Sequence, residues 1–315
     1  MSKYTPIPTH DVENQVPELG DVNWFETDPT LQSLVETHGG AEHRQTLSAF
    51  GATMGAVDQR EHGRLANVYP PVLRTFDRFG HRIDEVDFHP SYHELMTQAK
   101  EAGIHSLPWT ATGGGHVAHT AMLYMLTQTE AGICCPLTMT YAGVPTLKHH
   151  SDWFAEWGPK VCTSSYDQRH LPASEKSSLM LGMAMTEKQG GSDVRANRTQ
   201  ATHLTGDTYT LTGHKWFCSA PMSDGFFTLA HTTKGLTCFL VPRFVPDGSK
   251  NRLYIQRLKD KVGNRSNASS EIEYNQTCAV RIGEEGRGVA TIIEMVHHTR
   301  LDCTTAAVGI MRQSL

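Results

Sequence analysis

The chain has 315 residues, 38% hydrophobic and 19% charged, with a net charge of -5. That is an ordinary globular balance with room for about two domains, and nothing in the charge demands an acidic partner such as nucleic acid. No run approaches the roughly 20 apolar residues a membrane helix needs. The opening "MSKYTPIPTHDVENQVPELGD" lacks the apolar core of a secretory signal, so a cytoplasmic location is expected. The seven cysteines, at 134, 135, 162, 218, 238, 278 and 303, show no Cys-x-x-Cys spacing. Reduced thiols are expected rather than a disulfide framework or a thiolate zinc site.

In chain order, residues 1 to about 25 are Pro-rich and polar and read as an extended surface arm. "DPTLQSLVETHG" carries an Asp-Pro helix start and a Gly stop at Gly39. "AEHRQTLSAFGATMGAVDQREHGRLANV" places Leu47, Phe50, Met54 and Val57 at helical spacing and reads as one helix, ended by Pro70-Pro71. "RFGHRIDEVDFHP" reads as a hairpin or bulge turning at Gly80. Helices resume in "SYHELMTQAKEAG", "HVAHTAMLYMLTQTEAG" and "GVPTLKHHSDWFAEW". From Leu179 onward short alternating runs rich in Thr, Val, Ile, Tyr and Phe predict a small antiparallel sandwich or barrel. After "GEEGRG", the stretch "VATIIEMVHHTRLDCTTAAVGIMRQSL" is helical and reads as the first helix of a further helical domain. The expected class is α+β, with domains at 1–181, 182–283 and 284–315.

Two motifs carry candidate chemistry. In "MTEKQGGSDV" a Gly190-Gly191 pair follows an apolar run and sits between Thr186 and Ser192. Such a turn can aim backbone N–H groups at a phosphate, or it can be a hairpin loop with an Asx turn at Asp193. In "GHKWFCSA", strand alternation puts Phe217 and Ser219 on one face and Trp216 and Cys218 on the other. An aromatic and a hydroxyl on one face can stack on and hydrogen-bond a flat ring, or simply pack a core. The charges in "RLKDKVGNRSNASSEIEY" read as a solvated connector, with a local anion surface as the alternative. "GGGH" at Gly113 to His116 reads as a helix-entry loop. The 18 histidines form no His/Glu/Cys set at ligand spacing, so no metal is expected.

Taken in order, "MTEKQGGSDV", "LTGHKWFCS", "LKDKVGNRSNASSEIEY" and "GEEGRGVATIIEMVHHTRLDCTTAA" resemble the middle domain and following helix of acyl-CoA dehydrogenases. "GRLANVYPPVLRTFDRFGHRIDEVDFHPSYHELM" and "CPLTMTYAG" resemble the AidB, alkylation-response branch of that family. The resemblance implies a helical domain, a β-domain and a C-terminal four-helix domain with FAD between them, commonly in homotetramers. It implies a FAD set of Met183, Met185, Thr186, Gly190, Gly191, Ser192, Phe217, Cys218 and Ser219, with Thr186 at the isoalloxazine and Ser192 at the pyrophosphate. Lys188 stands where many members have Pro, and Phe217 replaces the commoner Trp. Arg300 matches an arginine near the thioester channel and is the implied substrate residue. The implied activity is α,β-desaturation of an acyl-CoA, with the glutamate base in a C-terminal segment outside these residues. FAD retention and turnover by this chain are accordingly expected to be weak. The alternatives are a DNA-associated protective flavoprotein, with its DNA surface also in that segment, and an acyl-CoA-binding regulator without turnover.

Overall fold

The computed structural model describes Thr9 and residues 13–315. The expected N-terminal arm therefore falls partly outside the described residues. Helix α1 (Pro29–Thr37) starts as expected: the Asp28 carboxylate accepts from the Leu31 N–H at 2.9 Å, and Pro29 takes the first position. The next stretch, expected as one helix, is two: α2 (Arg44–Gly55) and α3 (Val57–Val68). Ala56 between them is extended, with ψ 147°. Packing sets the break. A Cβ on Gly55 would fall 1.8 Å from the Val22 carbonyl oxygen, and the Asp21 carboxylate accepts from the Val57 N–H at 2.8 Å. Strands β1 (Val72–Phe76) and β2 (Arg82–Asp87) form the expected hairpin, and Gly80 turns it at φ +86°.

Helices α4 (Pro90–Glu101), α5 (Leu107–Thr110) and α6 (Gly115–Thr129) follow. Gly114 enters α6 at φ +61°, as the helix-entry reading of "GGGH" expects. The helix expected across "GVPTLKHHSDWFAEW" is divided into α7 (Cys134–Leu147) and α8 (Ser151–Val161). Every residue of α7 except Cys135 is buried. A helix covered on all sides has no polar stripe, which is why its first half showed no helical period.

The β-part comprises β3 (Leu181–Ala184), β4 (Gln200–Thr205), β5 (Thr208–Ser219), β6 (Gly225–Thr232), β7 (Gly235–Pro242), β8 (Leu253–Leu258) and β9 (Ser269–Ile282). The circuit β6–β4–β5–β9–β7–β6 closes on itself, so the sheet is a small barrel. Most pairs are antiparallel, but β3 joins β6 in parallel, and β4 meets β6 through one parallel pairing, Gln200 to His231. Strand β8 lies outside the ring on β9. Closure leaves few free edges. Phe226, Phe239, Ile272 and Tyr274 pack among the buried side chains of this β-part.

Helix α9 (Gly288–Gln313) returns over α6 and α7. Its Met295 and Ile292 join Tyr141, Leu181 and Phe227 in one buried cluster, which ties α7, the barrel and α9 together. Each such large apolar side chain contributes about 1.5–3 kcal/mol when fully buried. A polar pin fixes the helix. Asp302, 3% exposed, accepts from Thr138 Oγ1 at 2.7 Å and faces His119 Nε2 at 3.0 Å. His119 Nδ1 faces the Ile104 carbonyl at 2.6 Å, so both ring nitrogens point at acceptors.

Candidate functional site

The loop after β3 is anchored by a residue that the sequence reading did not single out. Glu187 and Lys215 are both fully buried, and Lys215 Nζ donates to Glu187 Oε1 at 2.9 Å and to the Leu229 carbonyl at 2.8 Å. Glu187 also accepts from the Arg198 N–H (2.6 Å), the Thr199 N–H (3.1 Å) and Thr199 Oγ1 (2.6 Å). Burial raises its pKa, but the Thr199 and Arg198 hydrogen bonds and the Lys215 charge outweigh that and hold the carboxyl at about 2. Asn197 Nδ2 donates to the Met185 carbonyl at 3.0 Å, and Asp193 Oδ1 accepts from the Arg195 N–H at 3.1 Å, the Asx turn of the plainer reading. The loop is thus a shaped turn around a buried ion pair.

Its glycines face outward with little to spare on one side. Gly190 has φ +124°, and a Cβ on Gly191 would stand 2.7 Å from Thr186 Oγ1. Thr186 is half-buried and Ser192 exposed. Neither hydroxyl has a hydrogen-bond partner among the described residues.

Strand β5 departs from simple alternation. Lys215 pairs with Ile272 and Cys218 with Ser270, so one extra residue bulges out at Trp216-Phe217. Lys215 and Cys218 both point inward, while Phe217 is 47% exposed. The expected two-face assignment is corrected accordingly. Cys218, expected in the cofactor set, turns its thiol away from the loop; burial raises that thiol to about 12. Its carbonyl accepts from Ser270 Oγ at 2.9 Å, and the residue pairs with Ser270 of β9. The bulge is tied to the loop: the Trp216 N–H donates to the Thr186 carbonyl at 2.7 Å. Ser219 is half-buried, its hydroxyl 3.1 Å from Ser269 Oγ. Met183 and Met185 are half-buried against the cluster shared by α7 and the barrel.

The charges between β8 and β9 are more than a solvated connector. Lys259 Nζ stands 3.4 Å from the Trp216 ring centroid and 4.6 Å from that of Phe217. Lys188 Nζ and the Arg257 guanidinium each lie 5.7 Å from Trp216. Glu271 accepts from Arg257 at 2.8 Å and Lys259 at 2.7 Å. Lys261 donates to the Asn267 carbonyl and to Ser269 Oγ, which brings it beside Ser219. The signal in the sequence was the period-two spacing of Arg257, Lys259 and Lys261, which shares a face only in extended chain.

Cys135 of α7 also adjoins Ser219. Burial raises its thiol pKa, and the Ser219 hydroxyl and Lys261 pull against that; Cys303 of α9 lies near enough to be felt. Arg300 is exposed on α9 about one turn before Cys303 and makes no ion pair among the described residues. No hydrogen bond or ion pair joins it to the loop among the described residues. The histidines near this helix serve packing: His116 Nδ1 and His298 Nδ1 lie 2.9 and 2.7 Å from the Tyr141 hydroxyl. Among the described residues, no group of three or more His, Cys, Asp or Glu could hold a metal ion. An exposed aromatic, two free hydroxyls, a Cβ-free loop edge and a cationic fringe fit a flat ring that carries phosphate.

Residues 14–168 match the model of the adaptive response protein AidB N-terminal domain, and residues 182–277 that of the acyl-CoA dehydrogenase middle domain. The chain is 42% identical over 309 residues to the putative acyl-CoA dehydrogenase AidB of Escherichia coli (strain K12), covering 97% of this chain and 57% of that protein. It is 31% identical over 301 residues to acyl-CoA dehydrogenase family member 11 of Caenorhabditis elegans, covering 91% of this chain and 48% of the relative. The crystal structure of Caenorhabditis elegans ACDH-11 in complex with C11-CoA aligns with TM-score 0.86 at 28% identity, over 98% of this chain and 54% of that one. The chain belongs to the acyl-CoA dehydrogenase family. Within it, the N-terminal half is of the AidB type. The chain spans about half the length of the curated relatives it matches.

Proposed function

We propose that the loop and bulge form the FAD site of an AidB-like acyl-CoA dehydrogenase. The observation that carries this reading is the 2.7 Å bond from the Trp216 N–H to the Thr186 carbonyl, which sets exposed Phe217 beside the glycine loop. Phe217 covers one part of the isoalloxazine, Thr186 and Ser219 offer hydroxyls to its polar edge, and Met183 and Met185 line the base of the site. Ser192 and the Gly190-Gly191 main chain hold the remaining polar groups, Cys218 holds the strand beneath them through its pairing with Ser270, and Lys188 and Lys259 offset the pyrophosphate charge. The proposed reaction is α,β-desaturation of an acyl-CoA thioester, for which bound FAD supplies the hydride acceptor. Arg300 is assigned to the substrate side, on the α9 surface that runs past Cys303 toward Cys135 and Ser219. A homotetramer in the cytoplasm is the assembly and location that accompany this reading. The net charge of -5 gives no support to a DNA-binding role for these residues.

FAD titration, followed by flavin fluorescence, tests the assignment. Saturable quenching is expected, with binding weakened at least about tenfold in Thr186→Ala/Ser192→Ala, since two hydrogen bonds to a ligand are lost. Unchanged affinity in that variant would remove the loop from the site. Addition of C11-CoA to the FAD-loaded chain under anaerobic conditions is expected to perturb the flavin spectrum. An unaltered spectrum at saturating C11-CoA would count against an acyl-CoA site beside the flavin.

A further inference from the structure

A partly open pocket lies away from the loop. It measures about 410 Å³ and sits between the β1–β2 hairpin, α4, residues 166–170 and the turn that follows β5. That volume is in the range of small-molecule pockets. None of the residues assigned to FAD lines it; its nearest approach is Ala220, next to Ser219.

One wall is aromatic. Phe88 and Tyr92 stack with centroids 4.2 Å apart, and His93 meets Phe88 edge-on at 5.8 Å. His93 Nδ1 lies 3.0 Å from the Tyr166 hydroxyl, which fixes both rings. Met96, Met180 and Met222 supply a deformable apolar lining. Against this stands Ser223. It is 3% exposed, it lines the cavity, and its Oγ has no hydrogen-bond partner among the described residues. A buried hydroxyl left unpaired is costly, so a ligand group that meets it gains binding.

The ionisable groups around the space favour a neutral occupant. Arg74 engages Asp87 at the rim, and Lys176 pairs with Asp224 at 2.6 Å behind the wall. The Arg243 guanidinium is turned to the Pro221 carbonyl and Met222 Sδ. Burial lowers the His93 ring to about 4, and burial with the Arg243 charge does the same for His170. Neither a free cation for a carboxylate nor a free carboxylate for an ammonium faces inward among the described lining residues.

We propose that this cavity is a ligand site separate from the flavin face, for a neutral aromatic molecule of phenol to indole size that bears a hydroxyl or N–H group. The ring packs on Phe88 and Tyr92, and the polar group pairs with Ser223 Oγ. The test is ligand-observed NMR titration of the chain with phenol, toluene and benzoate, with and without FAD. Phenol should bind saturably, about fivefold to tenfold tighter than toluene, as one added hydrogen bond implies, and tighter than benzoate. FAD should not compete. In Ser223→Ala the phenol advantage over toluene should vanish while toluene binding persists. The ranking in the unaltered chain needs no variant, so it stands even if Ser223→Ala fails to fold. No saturable phenol binding, equal phenol and toluene affinity, tighter benzoate binding, or competition by FAD would each overturn the proposal.

Discussion

Replacing Lys215 by methionine tests what shapes the glycine loop. The substitution removes the ammonium that donates to Glu187 and to the Leu229 carbonyl, and keeps most of the side-chain volume. Glu187 stays fully buried with three donors, from Arg198 and Thr199, but without its counter-charge. Breaking a buried pair from one side costs about 3–5 kcal/mol. Glu187→Gln is expected to fall in the same range, because it strands the ammonium instead. The double variant Glu187→Gln/Lys215→Met removes both charges and leaves an acceptor for Arg198 and Thr199. It should therefore lose less than the summed single losses, by on the order of 2–3 kcal/mol. Urea denaturation followed by circular dichroism measures all four proteins, with FAD affinity taken in parallel. Strictly additive losses, or a Lys215→Met loss below about 1 kcal/mol, would refute the view that this pair anchors the loop.

The acid limb of the stability curve follows from the same carboxylate. Its folded pKa lies below the ordinary value of 4.5, so its contribution is present above about pH 4.5 and is lost as pH falls toward about 2. Glu187→Gln should flatten that limb in pH-dependent urea unfolding. Gly191→Ala brings a Cβ to 2.7 Å from Thr186 Oγ1 and should weaken FAD binding severalfold with little change in melting temperature. Phe217→Ala is expected to reduce FAD affinity while sparing stability, since that ring is 47% exposed in the folded chain; differential scanning calorimetry and flavin fluorescence separate the two effects. Asp302→Ala removes the acceptor of Thr138 and the partner of His119 and should cost about 1–3 kcal/mol for each buried group left unpaired. Limited proteolysis should then cut within α9 first.

The order of helices followed by barrel was legible because surface helices and half-buried strands carry their own periods. The hairpin at Gly80 and the entry to α6 at Gly114 were legible because a left-handed residue there is a glycine. Other features depend on contacts between distant segments. The break at Ala56 is set by Val22 and Asp21, and the early start of α7 is hidden by burial on every side. At the site, Gly190-Gly191 and Phe217 were visible as local motifs. The Trp216-Phe217 bulge was not, because it is a property of the register with β9 rather than of β5 alone. Glu187 carried no local signal, because Thr199 and Lys215, which close over it, come from later in the chain.

The most direct test of the central claim is a titration of FAD into the purified chain, alongside Thr186→Ala/Ser192→Ala. Saturable binding that weakens about tenfold or more in the variant is the predicted result. A chain that takes up no FAD, or a variant that binds it as well as the original, would contradict the assignment of this loop and bulge as a flavin site.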